Sequence, residues 1–185
     1  MAESPFPYRR VNVVGTSSSG KTTFARALAE RLGVPHVELD ALHWEPDWTE
    51  ATPEVMRGRT AAAISGDAWV VDGNYSVVRD LVWARAEAIV WLDYPLPTIL
   101  WRYASRTKRR IRSREELWAG TGNRERIRNV LGRDGLLWWI LSTYRRRRRD
   151  YPERLAAAPH LVAFRFRSPD AAVTWLDGLA PNAED

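Results

Sequence analysis

The chain has 185 residues, of which 45% are hydrophobic and 28% are charged, and its formal net charge is +5 at pH 7. A chain of this length and balance can bury one substantial hydrophobic core, so we expect a single domain over residues 1–185. It contains no cysteine and only three histidines. A disulfide scaffold, a thiolate metal site and a cysteine nucleophile are therefore excluded, and a histidine-based zinc site is not expected.

Hydropathy indicates that no segment is suited to a membrane. The longest apolar run, at residues 136–141, is far shorter than the roughly 18 residues that span a bilayer. The first ten residues, MAESPFPYRR, lack the apolar stretch of a signal peptide. We therefore expect a cytoplasmic protein with no membrane partner, and the sequence leaves its oligomeric state open.

The positive charge is concentrated in one stretch and is carried almost entirely by arginine. Of the 28 basic residues, only Lys21 and Lys108 are lysines. Residues 101–154 hold 17 basic and six acidic side chains, so their net charge is +11 and the rest of the chain is net acidic. A regional charge of this kind suits nucleic acid, and it suits a local polyanion such as a nucleotide phosphate equally well.

The hydrophobic pattern predicts strands that alternate with helices. In chain order the predicted elements are a strand at 10–14, a helix at 21–32, a strand at 36–39, a loop at 42–48, a helix at 54–65, a strand at 69–71, a helix at 77–85, a strand at 88–92, a strand at 161–166 and a helix at 170–179. This alternation predicts an α/β fold, with a parallel sheet covered by helices on both faces. Between the last two strands, residues 97–154 form a helical insertion that contains the basic stretch.

A phosphate-binding loop is the strongest motif in the chain. Residues 15–22, GTSSSGKT, match the pattern G-x-x-x-x-G-K-[ST] between a predicted strand and a predicted helix, where its mechanism requires it. Backbone N–H groups of such a loop, with the positive end of the following helix, bind phosphate oxygens. The expected ATP-binding residues are Gly15, Ser17, Ser18, Ser19, Gly20, Lys21, Thr22 and Thr23.

Three side chains of this motif have separate expected roles. Lys21 would act as a catalytic residue that bridges the β- and γ-phosphates, because its ammonium is a compact point charge on a flexible stem. Thr22 would hold Mg²⁺, and Thr23 would donate to an α-phosphate oxygen. The alternative is a glycine- and serine-rich loop that matches the pattern by chance.

Three segments resemble a known group of enzymes. VNVVGTSSSGKTTFARALAERLGVPHVELDALHW resembles the opening of nucleoside monophosphate kinase-like P-loop proteins, the group of adenylate, shikimate and gluconate kinases, while WVVDGNY and IVWLDYP resemble their third and fourth strands. The phrases LDALHW and DGNYS are most similar to bacterial adenylate kinase-related proteins described as DNA topology modulation protein-like. The resemblance covers most of the chain. It implies a P-loop NTPase fold, with a five-stranded parallel sheet in the order 2-3-1-4-5, flanking helices and an arginine-rich lid after the fourth strand.

The same resemblance implies a metal site and an acceptor site at the carboxyl edge of the sheet. Asp72 would bind Mg²⁺ through water as the acidic partner of Thr22, or else it forms an Asp-Gly turn. Asp40 would orient or deprotonate the acceptor hydroxyl as a catalytic residue, or else it caps a turn. The other expected acceptor-binding residues are His43, Trp44, Asn74, Tyr75 and Arg79.

The acceptor is not expected to be AMP. Adenylate kinases have Gly-Phe-Pro-Arg after the aspartate of the third strand, whereas this chain has Gly-Asn-Tyr-Ser. A polar Asn-Tyr pair is better suited to a hydroxyl-rich or amide-bearing ligand. His43 and Trp44 fit packing at the domain edge as well as they fit an acceptor pocket.

The start of the insertion carries arginines with helical spacing. Arg102, Arg106, Arg109 and Arg110 share one helical face, and planar guanidinium groups can grip the charge on a transferring phosphoryl group. We single out Arg106 and Arg110 as catalytic residues, with solvated surface as the alternative for any one arginine. The glycine-rich residues 120–123 are expected to form the lid tip.

Two further features bear on nucleic acid. Five consecutive arginines at 145–149 follow the apolar run LLWWILSTY, so they would surround a helix and could not all meet one phosphate. Aromatic residues in strands and amphipathic helices are expected to pack in the core rather than stack on bases. This expectation applies to Trp69, Trp91, Trp101, Trp138 and Trp139.

The combined prediction is an ATP-dependent phosphotransferase that uses Mg²⁺ and moves the γ-phosphate to a small-molecule acceptor, either a hydroxyl compound or a nucleotide. The alternative is a nucleic-acid-associated P-loop NTPase that uses the basic insertion. We do not favour it, because the insertion is expected to lack the exposed aromatic side chains of a base-stacking platform. A third reading is a nucleotide-binding scaffold with weak catalysis.

Overall fold

A computed structural model describes residues 6–113, 116–124 and 135–180. The predicted insertion therefore includes two stretches, 114–115 and 125–134, that lie outside the described residues. In chain order the elements are β1 (Arg10–Gly15), α1 (Lys21–Leu32), β2 (His36–Glu38), α2 (Leu39–His43), β3 (Trp44–Glu45), a 3₁₀ turn (Pro46–Trp48), β4 (Thr49–Glu50), α3 (Pro53–Ala63), β5 (Trp69–Asp72), α4 (Arg79–Arg85), β6 (Ala88–Leu92), α5 (Leu96–Ser113), α6 (Leu136–Ala156), β7 (Val162–Phe166) and α7 (Pro169–Asp177).

Five strands form one parallel sheet in the order β2-β5-β1-β6-β7. β1 lies at the centre, where it pairs with β5 on one side and with β6 on the other. When the strands of this sheet are numbered by themselves along the chain, their order is 2-3-1-4-5. The predicted fold class is therefore confirmed, and the two remaining strands, β3 and β4, form a separate antiparallel hairpin.

Helices cover both faces of the sheet. Every residue of β5 and β6 is buried, as expected for continuous apolar runs in a parallel sheet. One face packs against Leu28 of α1, Ile99 of α5 and Ile140 of α6. The other face packs against Met56 of α3 and Val82 of α4. Since all five strands run in the same direction, their carboxyl ends meet at one edge, and the phosphate-binding loop, Asp72 and Asn74 lie there.

The segment predicted as a loop at residues 42–48 contains regular structure. Leu39, predicted as the end of a strand, begins α2, and the hairpin and the 3₁₀ turn follow it. Leu39 is buried against Gly73, where any added Cβ would lie 2.8 Å from the Leu39 Cβ atom. These elements are too short to show a hydrophobic period, and contacts with distant parts of the chain hold them, so local patterns could not reveal them.

Three tryptophans expected in the core are exposed. Trp69 and Trp91 are buried as predicted, but the exposed fractions are 70% for Trp101, 63% for Trp138 and 49% for Trp139. The expectation was wrong because each of the three is offset around its helix from the buried face. Ile99 and Tyr103 supply that face of α5, and Ile140 and Tyr144 supply it on α6.

No helix within the described ranges is both long enough and apolar enough to cross a membrane. The two longest, α5 and α6, span 18 and 21 residues and carry many arginines. They are amphipathic surface helices of the α/β fold.

Asp93 joins three elements through ion pairs. It follows β6, its side chain is 2% exposed, and its two oxygens lie 2.8 Å from Arg148 Nε of α6 and 2.6 Å from Arg165 Nη2 of β7. The Arg165 guanidinium also lies 4.2 Å from the centroid of the Trp91 ring. One arginine of the run 145–149 therefore anchors α6 to the sheet.

We expect Asp93→Asn to lower the free energy of unfolding by about 2 kcal/mol, because two arginines would lose the charge that they share. The loss stays moderate because both guanidinium groups are about one-third exposed and can turn towards water. Urea denaturation measures it. Asp80→Asn is the matched control, since Asp80 pairs with Arg57 at 2.8 Å but is 62% exposed. Its loss should be clearly smaller, and equal losses would contradict the assignment.

Candidate active site

The phosphate-binding motif forms a tight loop between β1 and α1. The Ser19 N–H donates to the Thr16 carbonyl at 3.0 Å, and Ser18 and Gly20 have φ angles of 69° and 90°. At Gly15 an added Cβ would lie 2.9 Å from the Leu92 carbonyl oxygen, so the backbone segments at Gly15 and Leu92 approach too closely for a side chain at Gly15. A loop of this shape that leads directly into a 12-residue helix suits a bound phosphate.

Thr22 and Asp72 lie together beside this loop. The Thr22 hydroxyl donates to Asp72 Oδ1 at 2.9 Å, and His36 Nε2 lies 2.8 Å from Asp72 Oδ2. Asp72 is fully buried. A hydroxyl and a carboxylate are oxygen ligands of the kind that Mg²⁺ prefers, so this pair fits the metal implied by the sequence. Within the described residues no group of three or more His, Asp and Glu side chains could hold a metal ion.

Asp40 and Tyr75, two predicted acceptor residues, form a hydrogen-bonded pair. The Tyr75 hydroxyl donates to Asp40 Oδ1 at 2.7 Å, and the His43 ring lies 4.6 Å from the Tyr75 ring, centroid to centroid. Burial raises the pKa of Tyr75, and the charge of Asp40 raises it further. The phenol therefore stays protonated at neutral pH and fixes one oxygen of the Asp40 carboxylate.

Asn74 connects the acceptor side to the phosphate-binding loop. The Gly15 N–H donates to Asn74 Oδ1 at 3.1 Å, and Asn74 Nδ2 donates to the Gly15 carbonyl. The Tyr151 hydroxyl also donates to Asn74 Oδ1, at 3.1 Å. These contacts fix the position of the residues that follow β5 relative to the start of the phosphate-binding loop.

Arg102 of α5 reaches the phosphate-binding loop. Arg102 Nη1 donates to the Ser19 carbonyl at 3.2 Å, and an added Cβ at Gly20 would lie 2.7 Å from the same atom. Arg106 and Arg110, predicted as catalytic, lie one and two turns further along α5.

A tryptophan cluster, formed by Trp44, Trp48 and Trp118, connects the insertion to the hairpin. Trp118 stacks on Trp44 at a centroid distance of 6.1 Å and meets Trp48 edge-on at 5.8 Å. Its indole N–H donates to Glu38 Oε1 at 3.2 Å. Burial raises the pKa of Glu38, and the nearby charge of Asp72 adds to the effect. Trp118 therefore brings its part of the insertion against β2 and the hairpin.

Asn123, in the segment predicted as the lid tip, is buried against the hairpin. Its Oδ1 accepts a hydrogen bond from the Trp48 N–H at 2.9 Å, and its Nδ2 donates to the Glu45 carbonyl at 2.9 Å. Thr121 makes different contacts, since its hydroxyl bonds to Trp118 and Asn123 within the same turn. The turn is thus fastened to the hairpin by one side chain and stabilised internally by another.

We expect Asn123→Ala to speed hydrogen exchange of the Trp48 amide about tenfold, because that amide loses its acceptor. Hydrogen-exchange mass spectrometry of the hairpin measures the rate. Thr121→Ala is the control, since it removes hydrogen bonds only within the turn. If both substitutions changed the Trp48 rate equally, Asn123 would not be the fastening residue.

Sequence reasoning missed several residues at this site. His36, Glu38 and Arg147 were not singled out, and Arg102 was named among the lid arginines but not as a catalytic residue. Arg147 Nη1 lies 3.5 Å from the Gly15 carbonyl. The closeness of Arg102 to Gly20 could not be predicted, because it depends on which residues of α5 face the loop, and the sequence did not determine this.

Comparisons with known proteins bear on the fold. No family model matches the chain, and no curated protein matches it. A gluconokinase from Sinorhizobium meliloti 1021 has a similar structure, with a TM-score of 0.51, 22% identity and coverage of 97% of both chains. A sugar kinase from Janibacter sp. HTCC2649 has a TM-score of 0.47 and 22% identity, over 95% of this chain and 97% of that one. The likeness to the gluconokinase concerns the fold alone, and the chain has the α/β fold of that protein.

Proposed function

We propose that the protein is an ATP-dependent kinase that uses Mg²⁺ and phosphorylates a hydroxyl group of a small molecule. One observation carries the proposal. The phosphate-binding loop, the Thr22–Asp72 pair and the Asp40–Tyr75 pair lie at the same edge of the sheet. A donor phosphate site, a metal site and a candidate base are the parts that phosphoryl transfer to a hydroxyl requires.

The residues have distinct roles in this mechanism. Lys21 and the loop amides would bind the phosphates of ATP. Thr22 and Asp72 would hold Mg²⁺, which would neutralise charge on the transferring group. Asp40 accepts the proton of the acceptor hydroxyl while the hydroxyl oxygen forms a bond to the γ-phosphorus. The bond from that phosphorus to the bridging oxygen breaks, and the products are a phosphate monoester and ADP. Tyr75 keeps the Asp40 carboxylate oriented throughout.

The insertion at 97–154 is proposed to act as the lid. Arg102 contacts the loop directly and would stabilise charge on the phosphates, a role for which Arg106 and Arg110 remain predictions. Docking of the turn at residues 116–124 on the hairpin would exclude water, which protects ATP from hydrolysis. The proposal that the chain is related to the adenylate kinase-like branch rests on the sequence segments LDALHW and DGNYS.

Asp40 favours a hydroxyl acceptor over a nucleotide acceptor. A nucleotide would present a phosphate that is already ionised at neutral pH, so a carboxylate at this position would repel it. The Sinorhizobium protein of the same fold is a gluconokinase, which is consistent with a hydroxyl acceptor. Sugars, sugar acids and related polyols are therefore the first class to test.

The test is a screen for acceptor-dependent ADP formation. Purified protein with Mg²⁺ and ATP is combined with sugars, sugar acids, aminoglycoside-like alcohols, nucleosides and nucleotides, and ADP release is measured. We expect turnover with a hydroxyl compound. Turnover with nucleotides alone would indicate a nucleotide kinase. ATP binding without acceptor-dependent turnover would indicate a nucleotide-binding scaffold.

A second candidate is nucleic-acid binding by the insertion, and one observation favours it. Trp101, Trp138 and Trp139 are exposed on arginine-rich helices, so the aromatic side chains that the sequence analysis expected to be buried are available for base stacking. Anisotropy of a labelled single-stranded RNA between 50 and 300 mM KCl is the test. Tight binding with a steep salt dependence that Trp101→Ala weakens would favour this candidate.

A further inference from the structure

We propose that Trp118, in the insertion, is a positioning residue for the candidate base Asp40, which it holds in place through Trp44 and Tyr75. The inference rests on the proposed function, because it concerns how the same site is made competent for phosphoryl transfer. It is carried by a continuous series of ring contacts and hydrogen bonds that leads from the insertion to the Asp40 carboxylate.

The first contact of the series joins the insertion to the hairpin. The rings of Trp118 and Trp44 are stacked, with 19° between their planes and 6.1 Å between their centroids. The Trp118 indole N–H donates to Glu38 Oε1 at 3.2 Å, which fixes the rotation of its ring. Both tryptophans are partly buried. A stacked pair is weakened when either ring turns, so the orientation of Trp44 depends on that of Trp118.

Two contacts join Trp44 to Tyr75. The Trp44 ring meets the His43 ring edge-on at 4.8 Å, and the His43 ring lies 4.6 Å from the Tyr75 ring, centroid to centroid. The His43 side chain is only 12% exposed, so it has little room to move. The Trp44 side chain also forms a hydrogen bond with Tyr75, and this bond opposes the larger effect of burial, which raises the pKa of Tyr75. A displacement of Trp44 therefore reaches Tyr75 by two routes.

The Tyr75 hydroxyl is the last member of the series, because it holds Asp40. It donates to Asp40 Oδ1 at 2.7 Å. An indole N–H can only donate, so the Tyr75 oxygen accepts from Trp44 while its single proton is given to the carboxylate. The position of Trp44 thus sets the direction of the O–H bond, and that bond fixes one oxygen of Asp40.

The turn of the hairpin indicates that the insertion imposes this arrangement. Asp47 and Trp48 both have φ angles of 59°, a left-handed conformation that is unfavourable for residues other than glycine. Such strain persists where surrounding contacts hold it. Two of these contacts come from the insertion, since Asn123 Oδ1 accepts from the Trp48 N–H at 2.9 Å and Trp118 meets the Trp48 ring edge-on. The hairpin that carries Trp44 therefore depends on the insertion for its conformation.

NMR of the full chain without substrates tests the physical link. The indole N–H resonance of Trp44 is identified by its absence in Trp44→Phe. We expect Trp118→Leu to speed exchange of this proton with water about tenfold, because its hydrogen bond to Tyr75 opens more often when the stacked ring is missing. Thr121→Ala is the matched control, since it removes hydrogen bonds within the same turn, and it should leave the rate unchanged. An unchanged rate in Trp118→Leu, or equal rates in the two variants, would overturn the inference.

Steady-state kinetics with the acceptor found in the screen test the role of Trp118 in transfer. We expect Trp118→Leu to lower kcat about tenfold with little change in the KM for ATP, because the base is misplaced while the phosphate-binding loop is untouched. Trp118→Phe keeps a ring on Trp44 and should retain most of the activity. In a Tyr75→Phe background, Trp118→Leu should lower kcat by less than about twofold, because the link through which it acts is already cut. Thermal melting verifies that each variant is folded.

The outcomes separate this inference from the proposed function. If no acceptor supports turnover, the proposed function fails, while the NMR result still decides whether Trp118 is linked to Tyr75. If the protein is an active kinase but Trp118→Leu keeps the wild-type kcat, the inference is excluded and the kinase proposal stands. The same holds if the losses of Trp118→Leu and Tyr75→Phe add in full. If Trp118→Phe loses as much as Trp118→Leu, the hydrogen bond to Glu38 is responsible and the series through Trp44 is excluded.

Discussion

Replacement of Lys21 by alanine is expected to lower the rate of phosphoryl transfer about a thousandfold or more, while the protein stays folded. Loss of one preorganised donor to the transition state costs this order of rate in other enzymes, and a lysine of this loop also binds the ground-state phosphates. The side chain of Lys21 forms no hydrogen bond or ion pair with any residue that the structure describes, so its removal should leave the fold intact. Acceptor-dependent ADP formation gives the rate, and thermal melting gives the stability.

The chain contains its own control for this experiment. Lys108 is the only other lysine, and it lies exposed on α5. Lys108→Ala removes the same charge from a position that contacts neither the loop nor Asp40, so it should turn over at nearly the wild-type rate. Full activity of Lys21→Ala would exclude the proposed function. Equal losses in both variants would indicate that overall charge, rather than the phosphate loop, controls the rate.

The order of the five sheet strands and of the longer helices could be predicted because each of these elements leaves a local signal. The apolar run at 88–92 coincides with β6, and the helix predicted at 21–32 coincides with α1, which begins after Gly20 and ends at Gly33. The phosphate-binding motif is also local, since eight consecutive residues contain its signal. Where such signals exist, a hydrophobic period or a glycine at a required turn is sufficient to predict the element.

Contacts between distant residues left no such signal. Thr22 and Asp72 could be paired by resemblance to known kinases, but His36 reaches Asp72 from 36 positions away, and Arg147 reaches Gly15 from 132 positions away. Five identical arginines show no periodicity, so their sequence could not reveal that Arg147 and Arg148 point to different partners. The exposed tryptophans were misassigned for a related reason, because residue type predicts burial only on average and the offset around the helix decides it.

Replacement of Asp40 by asparagine is expected to lower kcat about a hundredfold or more, with little change in the affinity for ATP. Asparagine has nearly the same shape and its carbonyl oxygen still accepts the hydrogen bond from Tyr75, but it cannot take the proton of the acceptor hydroxyl. General-base catalysis contributes a factor of this order. Steady-state kinetics with the acceptor found in the screen provide kcat and both KM values.

Tyr75→Phe is the comparison that separates the two roles of Asp40. It removes the 2.7 Å hydrogen bond and leaves the carboxylate, so only the orientation of Asp40 is disturbed and a loss of about tenfold is expected. If kcat falls far more in Asp40→Asn than in Tyr75→Phe, Asp40 is a base. If the two losses are similar, Asp40 only positions the acceptor. A nucleotide acceptor would leave Asp40→Asn close to the wild type, because an ionised phosphate oxygen needs no base, so the ratio of these two variants also identifies the acceptor class.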